Sequence, residues 1–557
     1  MRGKILFLFL TVSLVFALAA GIYASFYSRS YYSGIAYAPD PLDGLMRNER
    51  AFYNVETNGR IAAFLQEFKE NNRSFFSIAP LILLAPEILQ RPDAHLFILI
   101  PLIFLFVFLL SYSVWLRTKN MVHAFVVALF YISCYAVTEP YFGIGFNMPD
   151  TIAGYPAGIA ALSLLIWSEK KDTRWLILFA VFLSVSVLTR FIFTVYSFLL
   201  FSFPLFLIFR EQFIQAGNNR KEISKALLLI GGIVSILCVN YIITHFDFNM
   251  QYYSYWLHSK KETMNIGIID SASGFLYMYG GFLRKIHVIF LILLFVANFY
   301  FFEIDKKIFR RRLFLAAWMF FILPFYWVVI LKTNGRVVGS AFMAAFPVMF
   351  LCLALPLNNM INNKRKKIFT YLLLAISAAS LIEIVISVKK NSDLVAITNL
   401  IPEPRKPLSI NLSDWLNTIC PRDCTLSLIV FSGNVLAEDI SLESFYRKGR
   451  YIKTMVSENK YFLYTNFNDT DFPNADIEVI KNSMYQKVSN SNNLLIFFKE
   501  RLQSDSAGRV NPKSMQVERG LFEKFSSETE WKMIQVPDSS IGPLILFYKN
   551  YLYFPSH

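Results

Sequence analysis

Read for apolar and polar positions, the first 390 residues form a series of runs in which nearly every position is apolar. Neither the 3.6-residue period of an amphipathic helix nor the alternation of a half-buried strand shows in them. The runs fall near 5–24, 95–116, 122–137, 152–167, 175–189, 191–209, 226–243, 287–302, 314–331, 338–357 and 369–388. Each approaches the roughly 20 apolar residues that a helix needs to cross about 30 Å of hydrocarbon, where a helix satisfies its own backbone. The pattern predicts about eleven such spans. The fifth flows into the sixth through Leu188, Thr189 and Arg190 with no polar stretch between them. From 391 onward the pattern changes. Pro402, Pro404 and Pro407 punctuate a linker over 391–410, and short apolar runs at 425–431, 461–466, 493–498 and 543–548 then alternate with polar stretches. That alternation predicts a mixed α/β domain over 411–557. The expected architecture is an α-helical polytopic membrane protein of residues 1–390 carrying a C-terminal α/β soluble domain.

Composition agrees and adds orientation. Only 17% of the 557 residues are charged, while 55% are hydrophobic and 17% aromatic; ordinary globular proteins carry about 25% charged residues. The net charge of +15 would point to nucleic acid in a soluble chain. Here the basic and acidic residues nearly balance from Val388 onward, and the excess sits in short clusters between apolar runs. This is the layout of membrane topology and excludes a nucleic-acid partner. One alternation collects most of it: Arg2 and Lys4; Arg117 and Lys119; Lys170, Lys171 and Arg174; Arg210, Arg220, Lys221 and Lys225; Lys306, Lys307 and Arg310 to Arg312; Lys364 to Lys367. Lys and Arg are retained in the cytoplasm, so the other side is extracytoplasmic. It holds two long loops, 25–92 and 244–286, and an odd number of spans puts the C-terminal domain there as well. The first run also spells a signal peptide, with Ala19, Ala20, Gly21 and Ala24 behind it, although its length favours a retained span. Cys420 and Cys424 are the cysteines of the soluble part and form a disulfide candidate in an oxidising compartment. No His or second Cys pair nearby completes a metal site.

The outer side also gathers the candidate chemistry. Asp40, Asp43 and Glu49 follow the first span closely; a carboxylate held there can act as general base on a hydroxyl, or merely balance Arg47 and Arg50 in a solvated loop. Asp150 stands at the outer start of the fourth span, where it can cap the helix or face a cavity. Arg190 interrupts uniformly apolar sequence, and ionisable residues at such positions are costly and face a cavity or a partner. Lys332 and Arg336 fall at outer span ends and would join it in a cationic pocket suited to phosphate, for which the planar guanidinium is well shaped. His258, near Trp256 in the second outer loop, is a candidate base or ligand.

These residues carry a resemblance. A long first outer loop with acids past the first span, the stretch from Pro149 and Asp150 into small and apolar residues, the Leu188-Thr189-Arg190 turn, and Gly335-Arg336 ahead of Pro347 together resemble the GT-C membrane glycosyltransferases, over about the first 387 residues. The pattern departs from the family at two points. Asp43 precedes Gly-Leu-Met while Glu49 lies nearer Phe52 and Tyr53, and Val337 stands where the family has Tyr. The resemblance implies transfer of a sugar from a polyprenyl-phosphate donor to a glycan, lipid or protein acceptor in the outer leaflet, with inversion, in a bacterial inner membrane. It implies Asp43 as base, with Asp40 and Glu49 as rivals. Arg190, Arg336 and Lys332 would sit at the donor phosphate, and Asp150 or His258 would orient acceptor or metal. A divalent ion occurs in some members; the spacings here do not define one. A polysaccharide polymerase or ligase, and a lipid-linked substrate flippase, are the alternative readings; a flippase would place ionisable residues deep in several spans rather than at one rim.

Overall fold

The computed structural model describes residues 2–34, 39–70, 75–119, 121–133, 149–170, 172–191, 193–215 and 220–250, separate positions between 367 and 389, and, further on, 405–419, 427–431, positions within 440–454 and 478–486, 493–498, 512–536 and 544–548. The predicted spans at 287–302, 314–331 and 338–357 lie outside the described residues, and so does the run at 461–466.

Among the described residues, three helical stretches are long and apolar enough to cross a membrane: Phe7–Ser25, Leu96–Leu116 and Ser224–Met250; Thr151–Trp167, Thr173–Thr189 and Phe193–Phe203 are shorter apolar helices. They belong to α1 (Arg2–Gly34), α5 (Leu96–Thr118), α7 (Pro149–Lys170), α8 (Thr173–Thr189), α9 (Phe193–Gln215) and α10 (Arg220–Val234); α6 (Met121–Ser133) packs among them. The apolar helix of α10 continues through a π turn at Ser235–Val239 and on to Met250. The sequence reading ended this span at 243 and placed 244–250 in the second outer loop, so the helix reaches farther out than its apolar run.

The way α1 packs shows why these helices suit lipid. Phe9, Ser13, Ala17, Ala20 and Ala24 recur at helical spacing and are buried, whereas Phe7 at 71% and Ile22 at 73% exposure stand outward with Val15 and Leu18. Small residues face protein and large apolar ones face out, the arrangement of membrane helices, where close backbone approach replaces the hydrophobic drive. Ala20, Gly21 and Ala24, three of the small residues that also spell a cleavage site, belong to this packing stripe, while Ala19 faces out. A Cβ on Gly21 would lie 2.4 Å from Ile100 Cδ1 of α5. Buried hydroxyls bond inside their own helices: Ser113 donates to Leu109 O at 2.7 Å, Ser163 to Ile159 O at 2.7 Å and Ser184 to Ala180 O at 2.8 Å. Each thereby avoids the cost of an unpaired group in hydrocarbon. Phe106 of α5 meets Tyr131 of α6 and, edge to face, Tyr155 of α7, closing the three-helix core.

The region 25–92, expected as a loop, is mostly helical. α1 runs on to Gly34, followed by α2 (Pro39–Asn58), α3 (Arg60–Glu70), a 3-10 turn at Phe75–Ser77, α4 (Ala79–Leu84) and a second 3-10 turn at Pro86–Gln90. Gly59, at φ +82, makes the corner between α2 and α3, a conformation that glycine adopts without cost.

The C-terminal part holds α11 (Arg405–Ile419), α12 (Pro512–Ser527) and strands β1 (Ser427–Phe431), β2 (Lys453–Thr454), β3 (Asn493–Phe498), β4 (Lys532–Val536) and β5 (Leu544–Tyr548). The sheet order is β2-β1-β3-β5-β4. β1 pairs in parallel with β2 and β3, while β5 pairs antiparallel with β3 and β4. Leu495 and Phe497 of β3, Phe547 of β5, and Leu521 and Phe525 of α12 form its core with Trp531. α11 begins inside the segment read as linker, and Pro407 sits in its first turn, where the missing N–H costs nothing.

Candidate functional site

One end of the bundle collects the helix termini that the sequence singled out. α7 and α8 run antiparallel, and Ser186 Oγ donates to Ala153 O across them at 2.9 Å. Ala153 lies one turn after Asp150 and Ser186 one turn before Arg190, so that single bond fixes Asp150 and Arg190 at the same level. Asp150 is the second residue of α7, behind Pro149, so it lies inside the first turn rather than at the cap, where a carboxylate is favoured by the helix dipole. Arg190 is where α8 stops. Its backbone is extended at φ −151 and ψ 112; its N–H still donates to Ser186 O at 3.0 Å, and its carbonyl accepts from Phe193 N at 2.9 Å as α9 starts. Arg190, half-buried, thus stands at a break between two apolar helices, where the runs at 175–189 and 191–209 meet.

The first outer segment lies over this end. Phe75 and Ala79 form a buried cluster with Phe191, next to Arg190, and with Tyr241 of the extended α10 helix. Phe68 of α3 meets Phe75 edge to face at 5.2 Å and Tyr241 at 5.8 Å. His245 Nε2 donates to Phe68 O at 2.7 Å. The final residues of the segment are fixed too. Asp93, 2% exposed, accepts two bonds from Arg91 and one from Ser25 Oγ at 2.6 Å, tying the end of the apolar stretch of α1 to the turn before α5. Bonding to Asp93 raises the Arg91 pKa above its ordinary value, with burial opposing.

On this layer α2 carries the three acids. Asp40 and Asp43 lie in its first turns; their side chains, like that of Asp150, are outside the described residues. Glu49 is fully buried. Its Oε1 accepts from Ser441 Oγ at 2.6 Å, across 392 positions of sequence, and Phe52 one turn on meets Phe445 at 5.8 Å. Arg50 points to the other side of α2, with Glu67 at 3.8 Å and Glu70 at 3.9 Å. The stretch read as a solvated loop is therefore a helix held on two faces. Arg336, Lys332, His258, Cys420 and Cys424 lie outside the described residues. Among the described residues, no group of three His, Cys, Asp or Glu side chains is placed to hold a metal.

Sequence reasoning missed Ser441, Phe445 and His245 as parts of this layer. Nothing local in the sequence marks Ser441, since its partner is more than half the chain away.

A bundle of apolar helices, short helices lying across one end of it and a C-terminal mixed sheet make up a fold that this chain shares with solved structures. The crystal structure of ArnT from Cupriavidus metallidurans in the apo state is similar at a TM-score of 0.51, covering 97% of this chain and 97% of that one at 11% identity. The structure of the same protein bound to undecaprenyl phosphate is similar at 0.53, covering 99% of both chains, again at 11% identity. No family model matches the chain, and no curated protein matches it by sequence. At this identity the likeness concerns the fold.

Proposed function

We propose that the protein is an integral membrane glycosyltransferase that moves a sugar from a polyprenyl-phosphate donor to an acceptor on the extracytoplasmic side, with inversion at the anomeric carbon. The observation that carries this reading is likeness over almost the whole chain to a fold whose solved example binds undecaprenyl phosphate. It is supported by the common level of the start of α7 and the end of α8 at one end of the bundle, against which the first outer segment packs through Phe75 and Ala79. In the reaction the acceptor oxygen attacks the anomeric carbon, and the bond from that carbon to the phosphate oxygen breaks with its electron pair. The acceptor proton passes to a carboxylate. Asp43 is assigned this role, with Asp40 and Glu49 as rivals, since all three acids stand on α2 and a base must be within reach of the proton it takes. Arg190, with Arg336 and Lys332, is assigned to the charge that develops on the departing phosphate. The bond between Glu49 and Ser441 supports placing the C-terminal domain on the same side of the membrane as the first outer segment.

Mass analysis of envelope glycans from cells with and without the gene tests the reading and reveals the sugar. A glycan lacking one sugar in the deletion strain, restored by membranes holding the protein and a polyprenyl-phosphate sugar, is the expected result. Identical glycans in both strains, with no transfer in membranes, would refute it.

A further inference from the structure

Glu49 occupies an unusual position for a base. It is 0% exposed, and so is Ser441, the residue whose hydroxyl it accepts from. A carboxylate enclosed in this way is remote from an arriving acceptor hydroxyl, yet well placed to join two parts of the chain. The rest of its surroundings extend the junction. Leu45, Asn48, Glu49 and Phe52 follow each other at helical spacing along one face of α2; the first three are buried and Phe52 rests on Phe445. The segment bearing Ser441 and Phe445 is in turn fastened to α11. Asn417 Nδ2 donates to Ser444 Oγ at 3.1 Å, Arg450 Nη1 donates to Asn417 Oδ1 at 3.0 Å, and Lys448 pairs with Asp414 at 2.7 Å. The chain of contacts therefore runs from α2 through Glu49 and Ser441 to the first helix after the last span.

We propose that Glu49 and Ser441, with Phe52 on Phe445, form a lock between α2 and the C-terminal domain, and that Glu49 is a positioning residue that sets where the first turns of α2 stand. Resting on the transferase reading above, the inference assigns the proton to Asp43 or Asp40 and withdraws Glu49 from that role. At about 100° per residue the Asp40 position lies half a turn around α2 from Glu49. The face that the lock holds is thus opposite the one it leaves open. The C-terminal domain becomes the part that determines whether α2 is in register with the mouth.

The discriminating substitution is Glu49→Gln, which removes the base but keeps an amide oxygen that Ser441 can donate to. Two readouts are taken on the full-length protein: transfer rate, and the rate of limited proteolysis of the C-terminal domain in detergent, which does not depend on any reaction. Glu49→Ala and Ser441→Ala are each expected to speed proteolysis about tenfold, the size of one lost buried hydrogen bond. The double variant should be cut less fast than the two single effects combined would give, because the two residues share an interaction. Both should lower kcat with little change in donor KM, and Glu49→Gln should recover most of what Glu49→Ala loses in both readouts. Additive proteolysis effects would overturn the lock. Loss of transfer in Glu49→Gln with proteolysis as in the wild type would show Glu49 to be the base. A wild-type chain inert toward polyprenyl-phosphate sugars, with the proteolytic coupling intact, would remove the transferase reading and uphold the lock.

Discussion

Arg190 owes its position to two neighbours of ordinary chemistry and to its own backbone. Ser186 ties the last turn of α8 to α7, Phe191 anchors the far side in an aromatic cluster, and the extended backbone at Arg190 itself ends the helix. In the proposed reaction, a guanidinium carried on so fixed a backbone would need little reorganisation as the phosphate charge forms, which is where such groups contribute most. Arg190→Ala is expected to lower the transfer rate by about 10²–10³, and Arg190→Lys to fall between the two because it keeps the charge without the planar fork. Asp43→Asn is expected to lose about 10²–10⁴, and Asp40→Asn less. Initial rates in membranes, normalised to the amount of inserted protein, check all three. Rates near wild type in both Asp43→Asn and Arg190→Ala would remove the assigned roles. Of these residues the sequence displayed the types and not the company they keep. Arg190 stood out because a charge in apolar sequence is costly. Ser441 could not, since a serine in polar sequence looks like any other and its partner is distant. Glu49 was visible as an acid, but its enclosure was not, because burial here is supplied by the C-terminal region.

At the level of elements, the apolar helices were the most legible. α5, α7 and α8 begin and end within a few residues of their runs, because in lipid the length of an apolar stretch is itself the structural signal. The strands of 493–498 and 544–548 were likewise marked by short apolar runs. β4 was not, for Lys532 and Gln535 leave Lys532–Val536 neither a continuous apolar run nor a strict alternation. Helices α2 and α3 also escaped notice. Their amphipathic pattern was masked by charges that balance within the segment, and it became meaningful only with the bundle end and Phe445 beneath it. The contact of α1 with α5 yields a prediction at this scale. Gly21→Leu would drive a side chain into Ile100 and should lower stability by about 1–3 kcal/mol, seen as a reduced thermal midpoint in detergent. Ile100→Ala in the same chain should restore part of it. An unchanged midpoint in Gly21→Leu would show that α1 can retreat from α5.

On the scale of the molecule, the outer layer joins parts far apart in sequence: α2 and α3, the end of α8, the outer end of α10, and the segment from α11 to Arg450. On the proposed topology all of it lies on the extracytoplasmic side. A protease site inserted at 391–404, just ahead of α11, is therefore expected to be cut in intact spheroplasts and protected in inverted vesicles. The reverse pattern would carry α2, with its acids, into the cytoplasm and end the proposed reaction with an outer-leaflet donor. Likeness of fold at 11% identity fits an architecture in which size and lipid compatibility matter more than residue identity.

The π turn at Ser235–Val239 gives α10 one residue more than an uninterrupted α-helix would need over that length. Beyond it, Tyr241, His245 and Asn249 are buried at four-residue intervals, with Tyr241 and His245 against α3. Deleting a single residue from the wide turn would let the helix close up and swing that trio by about 100°, aiming His245 away from Phe68 while hardly altering hydropathy. The extra residue therefore acts as a phase shifter, and an insertion or deletion there would matter far more than most substitutions.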